Sequence, residues 1–236
     1  MAQVNVLTAF PRRASLPPTL GALGNEAATR VRPHIPYLSI MNLRLVLASS
    51  STYRKALLER FALDFYTFSP DVDESPLPDE APAELAKRLA RDKSTAAAKH
   101  FPSALIIGSD QVASRDNAII GKPGDTHACV EQLVRASGQR MDFLTGLCVL
   151  NTESGAAQLD VIRFSVVFRD LTRQQVKTYV AREQPFDCAG GFRSEGLGIG
   201  LFERLEGDDP TALIGLPLIR LSEMLRSEGL DVLLQS

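Results

Sequence analysis

Two strand-like runs in the middle of the chain, Phe143 to Leu150 and Val161 to Phe168, constrain the fold most. They are joined across Asn151 to Ala156 by a loop containing Gly155, and an antiparallel pair is the economical arrangement. Upstream of this pair, strands and helices alternate. The apolar run Leu45-Val46-Leu47-Ala48 passes through a serine-rich turn into a helical stretch, Tyr53 to Phe61, with Ala56, Leu57 and Phe61 on one face. A second strand is expected around Phe65 to Phe68, and the acidic, proline-rich segment Asp71 to Pro82 reads as a loop. Ala83 to His100 carries Leu85, Leu89, Ala96 and Ala97 at helical spacing. Leu105-Ile106-Ile107 then reads as a short buried strand ending at Gly108-Ser109-Asp110. Alternation followed by a hairpin predicts an α/β fold with a mixed, twisted sheet and flanking helices.

The remaining punctuation is local. Asp125 or Thr126 is expected to cap a helix reaching Ala136, and Thr172 one reaching Arg182. The glycines from Gly190 to Gly200 suggest bends or a strand bulge, and a last helix is expected near Pro217 to Glu228.

Charge and composition exclude several function classes. The 236 residues carry 26 Lys and Arg against 28 Asp and Glu, a net charge of −2, so no global basic field exists to hold a nucleic acid. No apolar stretch approaches the roughly 20 residues of a membrane-spanning helix, and no membrane association is expected. Cys129, Cys148 and Cys188 are odd in number and widely spaced, which fits reduced thiols in the cytoplasm better than disulfides or paired zinc ligands. His34, His100 and His127 are equally scattered, so any metal would be a hard cation held by oxygens, Mg²⁺ or Mn²⁺. The first forty residues differ from the rest: four arginines and one acid give them a net charge of +3. Residues 1–40 are expected to be a disordered extension and 41–236 the functional domain.

Three clusters carry the chemistry. Ser49-Ser50-Ser51-Thr52-Tyr53-Arg54-Lys55 runs from a strand into a helix start, where backbone N–H groups, hydroxyls and Arg54 suit an anion; an ordinary serine N-cap is the alternative. Asp71-Val72-Asp73-Glu74 and Ser109-Asp110-Gln111 follow apolar strands, where their acids could face one crevice, hold a divalent cation and activate water; a solvated loop for the first and a turn cap for Asp110 are the alternatives. Gly121-Lys122 is not a Walker loop, because Asp116 stands where its first glycine belongs and Pro123 where Ser or Thr belongs.

Seven motifs then occur in a fixed order. They are Leu47-Ala48-Ser49-Ser50-Ser51-x-x-Arg54, Val72-Asp73-Glu74, Ala90-x-x-Lys93, Ile107-Gly108-Ser109-Asp110-Gln111, Gly121-Lys122-Pro123, Thr145-Gly146 and Phe192-x-Ser194-Glu195-Gly196. In this order they resemble the Maf-like nucleotide pyrophosphatases over about residues 43 to 230, and Ser-Asp-Gln resembles the branch that hydrolyses 7-methyl-GTP. The resemblance implies an inosine-triphosphatase-like fold with two lobes around a cleft, a homodimer and a divalent cation.

Carried onto this sequence, the family pattern makes Asp110 the proton acceptor and, with Glu74, a metal-binding carboxylate. It sets Ser49, Arg54, Lys93 and Lys122 at the triphosphate, and Tyr53, Gln111 and Glu195 at the specificity positions. Thr52 stands where many members have Pro, and Tyr53 where the 7-methyl-GTP branch often has Trp. The implied reaction yields 7-methyl-GMP and pyrophosphate; a dTTP/UTP pyrophosphatase and a non-catalytic nucleotide-binding regulator of cell division are the competing readings. An aromatic face and a carboxylate both favour the cationic methylated base.

Overall fold

The computed structural model describes residues 43–234, so the extension expected over residues 1–40 lies outside the described residues. Seven strands form one mixed sheet in the order β2-β1-β3-β5-β6-β7, with β4 paired to β3. The strands are β1 (Arg44–Ala48), β2 (Tyr66–Phe68), β3 (Ala104–Arg115), β4 (Ala118–Ile120), β5 (Arg140–Asn151), β6 (Ala157–Phe168) and β7 (Phe202–Glu206). Six helices accompany them: α1 (Thr52–Leu58), α2 (Pro82–Ala98), α3 (Thr126–Ala136), α4 (Arg173–Glu183), α5 (Thr211–Ile214) and α6 (Leu218–Ser227). β1 is parallel to β2 and β3, whereas β5, β6 and β7 continue the sheet antiparallel, as alternation followed by a hairpin requires.

The caps follow their side chains. Asp125 accepts from Ala128 N at the start of α3, and Thr172 forms a capping box with Gln175 at the start of α4. α1 holds Leu57 and Leu58 inward, but Ala56, expected on the apolar face, is exposed; Leu58 takes that place.

The largest correction concerns β3. Its expected end at Gly108-Ser109-Asp110 is instead its middle, and the strand runs on to Arg115. Polar residues ended the apolar run, yet Ser109 and Asp110 are buried, because α2 covers them on one side and the α5 segment on the other. Both arms of the hairpin are likewise 12 residues long, longer than expected. The segment 189–201 contains two 3₁₀ turns rather than a bulged strand, and β4, β7 and α5 have no counterpart in the sequence reading.

The lengths of β1 and β3 create an opening. β1 stops at Ala48, opposite Gly108, and β4 joins the same edge only at Ala113. Ser109 to Val112 therefore have a strand neighbour only on the β5 side. The sheet has a window there.

Two apolar clusters flank it. One packs Leu47, Leu57, Leu58, Ile107, Leu147 and Leu221 under α1 and α6. The other packs Phe143, Phe168, Phe192, Leu133 and Val176 beneath α3 and α4, with Phe192 edge-on to Phe143 at 5.3 Å and to Phe168 at 5.7 Å.

Candidate active site

α2 lies unusually close to the sheet because two glycines permit it. A Cβ on Gly108 would stand 2.2 Å from Ala90 O, and one on Gly146 would stand 2.1 Å from Ala86 O. Gly146 pairs with Asp110 across β3 and β5. With the helix this near, Lys93 on α2 reaches Asp110: Nζ donates to Oδ1 at 2.6 Å. The same ammonium lies 2.6 Å from Glu74 Oε1, so one cation bridges two carboxylates distant in sequence.

The Glu74 loop is tied to α2 by Arg88. Its guanidinium donates to both oxygens of Glu80, at 2.6 and 2.8 Å, and to Ser75 O at 2.9 Å. Of the expected acidic run, Asp73 turns inward on its own loop, accepting from Ser75 N, and Glu74 alone faces the cavity. Burial works to raise the Glu74 carboxyl. Hydrogen bonding and charge from Lys93, with the charges of Lys122 and Arg54, outweigh it and hold the carboxyl below its ordinary value.

Arg54 enters from the first turn of α1. Its Nε donates to Gly215 O at 2.8 Å and Nη1 to Ser49 Oγ at 3.4 Å, while Nη2 lies 3.9 Å from Asp110 Oδ1. Burial draws its guanidinium below the ordinary value, against the pull of Asp110 and then Glu74. Ser51 is the N-cap and accepts from Arg54 N, so the serine-cap reading holds for that residue while Ser49 and Arg54 line the cavity. Lys55 points away, toward Glu59.

All nine residues expected at the site line one cavity of about 440 Å³: Ser49, Tyr53, Arg54, Glu74, Lys93, Asp110, Gln111, Lys122 and Glu195. Asp110 and Lys93 form its buried floor; Glu74, Lys122 and Glu195 are exposed at its rim. Asp187, Cys188, Phe143 and Phe192 line it too, and sequence reasoning missed them. Cys188, unlike the buried Cys129 and Cys148, is half-buried on the cavity wall. Burial raises the Tyr53 hydroxyl, Cys188, Asp187 and Glu195 add to the rise, and Arg193 opposes it; Tyr53, Asp187, Cys188 and Glu195 all line the cavity.

α5 braces the opposite wall. Ser109 Oγ, fully buried, lies within 3.0 Å of Gly215 O, Thr145 Oγ1 donates to Ala212 O at 2.9 Å, and Gln111 Nε2 donates to Ala212 O and Leu213 O. The segment is fixed by Asp209, itself buried, which accepts from Thr211 N at 2.9 Å and Ile219 N at 2.8 Å. Carbonyl partners leave no signature in a sequence, so only Asp209 offered a clue to this wall.

This arrangement places the carboxylates of Asp110 and Glu74, the largely buried cations Lys93 and Arg54, and a rim lysine around a space wide enough for a nucleotide. The model for the family described as Maf-like protein matches residues 44–228. The chain belongs to that family. The most similar relatives include a 7-methyl-GTP pyrophosphatase of Pseudoalteromonas translucida, 54% identical over 193 residues, covering 82% of this chain and 96% of that protein. Proteins with the same description from Chromohalobacter salexigens and Pseudomonas putida are 55% and 53% identical over 190 residues, each covering 80% of this chain and 98% or 99% of the relative. The Maf-like match spans every site residue described above.

The donor set fits a hard divalent cation. Each of Glu74 and Asp110 gives one oxygen to Lys93 and retains a second, and carboxylate oxygens suit Mg²⁺ or Mn²⁺. Two carboxylates do not make a full cage, and among the described residues no group of three or more His, Cys, Asp and Glu is gathered for a metal. The set therefore suits an ion that shares its shell with substrate oxygens and water. Among the described residues, no helix is long and apolar enough to cross a membrane.

Proposed function

We propose that this chain hydrolyses 7-methyl-GTP to 7-methyl-GMP and pyrophosphate. The observation that carries the reading is the convergence of Asp110, Lys93, Glu74 and Arg54 on one cavity in a chain over 50% identical to proteins described as 7-methyl-GTP pyrophosphatases. The triphosphate lies toward Arg54, Lys93 and Lys122, and the base toward Tyr53 and Glu195.

The roles follow from charge. Asp110 accepts a proton from the water that attacks the α-phosphorus. Lys93 and Arg54 hold Asp110 in place and, with Lys122, offset the negative charge that grows on the departing pyrophosphate. Glu74 and Asp110 would hold a divalent cation, which when bound would polarise the phosphoryl oxygens and lower the pKa of water. Tyr53 offers its π-face to the positively charged methylated ring, and Glu195 accepts from the guanine edge. The enzyme acts as a cytoplasmic homodimer in this reading, and its three free thiols suit a reducing compartment.

The test is pyrophosphate release from 7-methyl-GTP, GTP, dTTP and UTP with Mg²⁺ or Mn²⁺ present. A preference for 7-methyl-GTP of at least about tenfold supports the reading, and a preference for dTTP and UTP overturns it.

A further inference from the structure

Segment 71–80 carries Glu74 to the cavity with no helix or strand to fix it. Among the described residues, its hydrogen bonds and ion pairs to the rest of the chain run to two side chains of α2, Arg88 and Lys93. Lys93 takes the Glu74 carboxylate itself and shares its ammonium with Asp110. Arg88 takes the backbone beside it. Its Nε and Nη2 grip the two oxygens of Glu80 as a fork, and Nη2 also donates to Ser75 O, the carbonyl directly after Glu74. Ser75 N donates in turn to Asp73 Oδ1 at 2.9 Å, and Leu77 N to Glu80 Oε2 at 3.0 Å.

The firm end of this arrangement is the Arg88 end. The Arg88 and Glu80 side chains are 18% and 7% exposed, whereas Glu74 is 55% exposed, and an ion pair open to solvent on one side holds a loop only weakly. Arg88, Ser75 and Glu80 are absent from the cavity lining, so the clamp acts through Glu74 rather than on a substrate. We propose that Arg88 is a positioning residue for Glu74: its fork fixes the backbone at Ser75 and so sets where the Glu74 carboxylate stands relative to Lys93 and Asp110. The inference rests on the pyrophosphatase reading above and adds to it a residue outside the cavity on which the geometry of that site depends. Without the fork, the loop still carries Glu74 but no longer presents it at one place.

A double-mutant cycle in the full chain tests this. Arg88→Met keeps an aliphatic stem and removes the fork, and Glu74→Gln removes the carboxylate that the fork places. For the nucleotide the wild type hydrolyses best, Arg88→Met is expected to lower kcat/KM by about tenfold, and by less than about twofold when Glu74→Gln is already present. Arg88→Lys keeps the charge without the fork and is expected to lose at least about fivefold. Equal losses from Arg88→Met in the two backgrounds, the result of a merely structural role, or full activity in Arg88→Lys overturns the proposal. Circular dichroism checks that each variant is folded; should Arg88→Met not fold, Glu80→Gln passes through the same cycle under the same criteria. If the wild type releases pyrophosphate from none of the four nucleotides, the catalytic reading fails. The same cycle is then read in the affinity of the ligand-free protein for Mn²⁺, followed by loss of the free-ion paramagnetic resonance signal. A fall in affinity on Arg88→Met that disappears in Glu74→Gln supports the inference, and additive effects or no Mn²⁺ binding overturn it.

Discussion

Lys93 Nζ stands 2.6 Å from Asp110 Oδ1, across 17 residues of sequence and between a helix and a strand. Both side chains are nearly buried, at 8% and 12% exposure, so the pair works in a medium where an unpartnered charge is costly. Removing the cation leaves Asp110 buried and Glu74 without its ammonium. Lys93→Met is therefore expected to lower stability by about 3 kcal/mol and kcat/KM by at least about 100-fold. Urea denaturation and pyrophosphate release measure the two effects separately.

Asp110→Asn keeps the shape of the side chain and removes its capacity to take a proton. Turnover should fall by about 100-fold or more while nucleotide affinity changes little. Isothermal titration beside steady-state kinetics separates this outcome from that of a non-catalytic nucleotide-binding protein, which shows no turnover to lose.

Close approach of α2 to the sheet depends on glycine at Gly146. Gly146→Ala places a methyl group 2.1 Å from Ala86 O, and relief requires the helix to move outward, taking Lys93 from Asp110. Overpacking of this kind costs about 1–3 kcal/mol. The variant is expected to melt earlier and to lose activity even at temperatures where it stays folded. Unchanged kinetics would show that the Lys93–Asp110 contact tolerates the shift.

Acid should loosen the loop that carries Glu74. Hydrogen bonds from Arg88 and then from Leu77 N hold the Glu80 carboxyl at about 2, well below its ordinary 4.5. A depressed carboxyl stabilises the fold fully above its ordinary value, and this contribution is lost as pH falls toward 2. The difference in melting temperature between the wild type and Glu80→Gln is expected to be constant from pH 8 to 5 and to close between pH 4.5 and 2. A gap that persists at pH 2 would contradict the assignment.

Asp209 should be as sensitive as the cavity residues although it lies outside the cavity lining. As a buried acceptor for Thr211 N and Ile219 N, it holds the segment whose Gly215 carbonyl receives Arg54 Nε. Asp209→Ala leaves those donors unpaired, at about 1–3 kcal/mol. Its KM for the nucleotide is expected to rise at temperatures where circular dichroism shows a folded protein.

What the amino acids determined alone was local. Alternating apolar and helical runs, Asp125 and Thr172 at helix starts, and Gly155 between two strands carry their reasons within a few residues, so the mixed α/β order and the caps were legible. The site residues were legible as types, because phosphate chemistry needs acids and cations, and their order carried the family resemblance. Tertiary structure decided the rest. The extension of β3 through Ser109, Asp110 and Gln111 ran against local polarity, and it depends on α2 and α5 burying those side chains from two sides. The direction of the Gln111 amide depends on carbonyls about 100 residues away, and every residue type carries a carbonyl. Pairings of that kind depend on where the backbone passes in space, which side-chain chemistry along the chain does not encode locally.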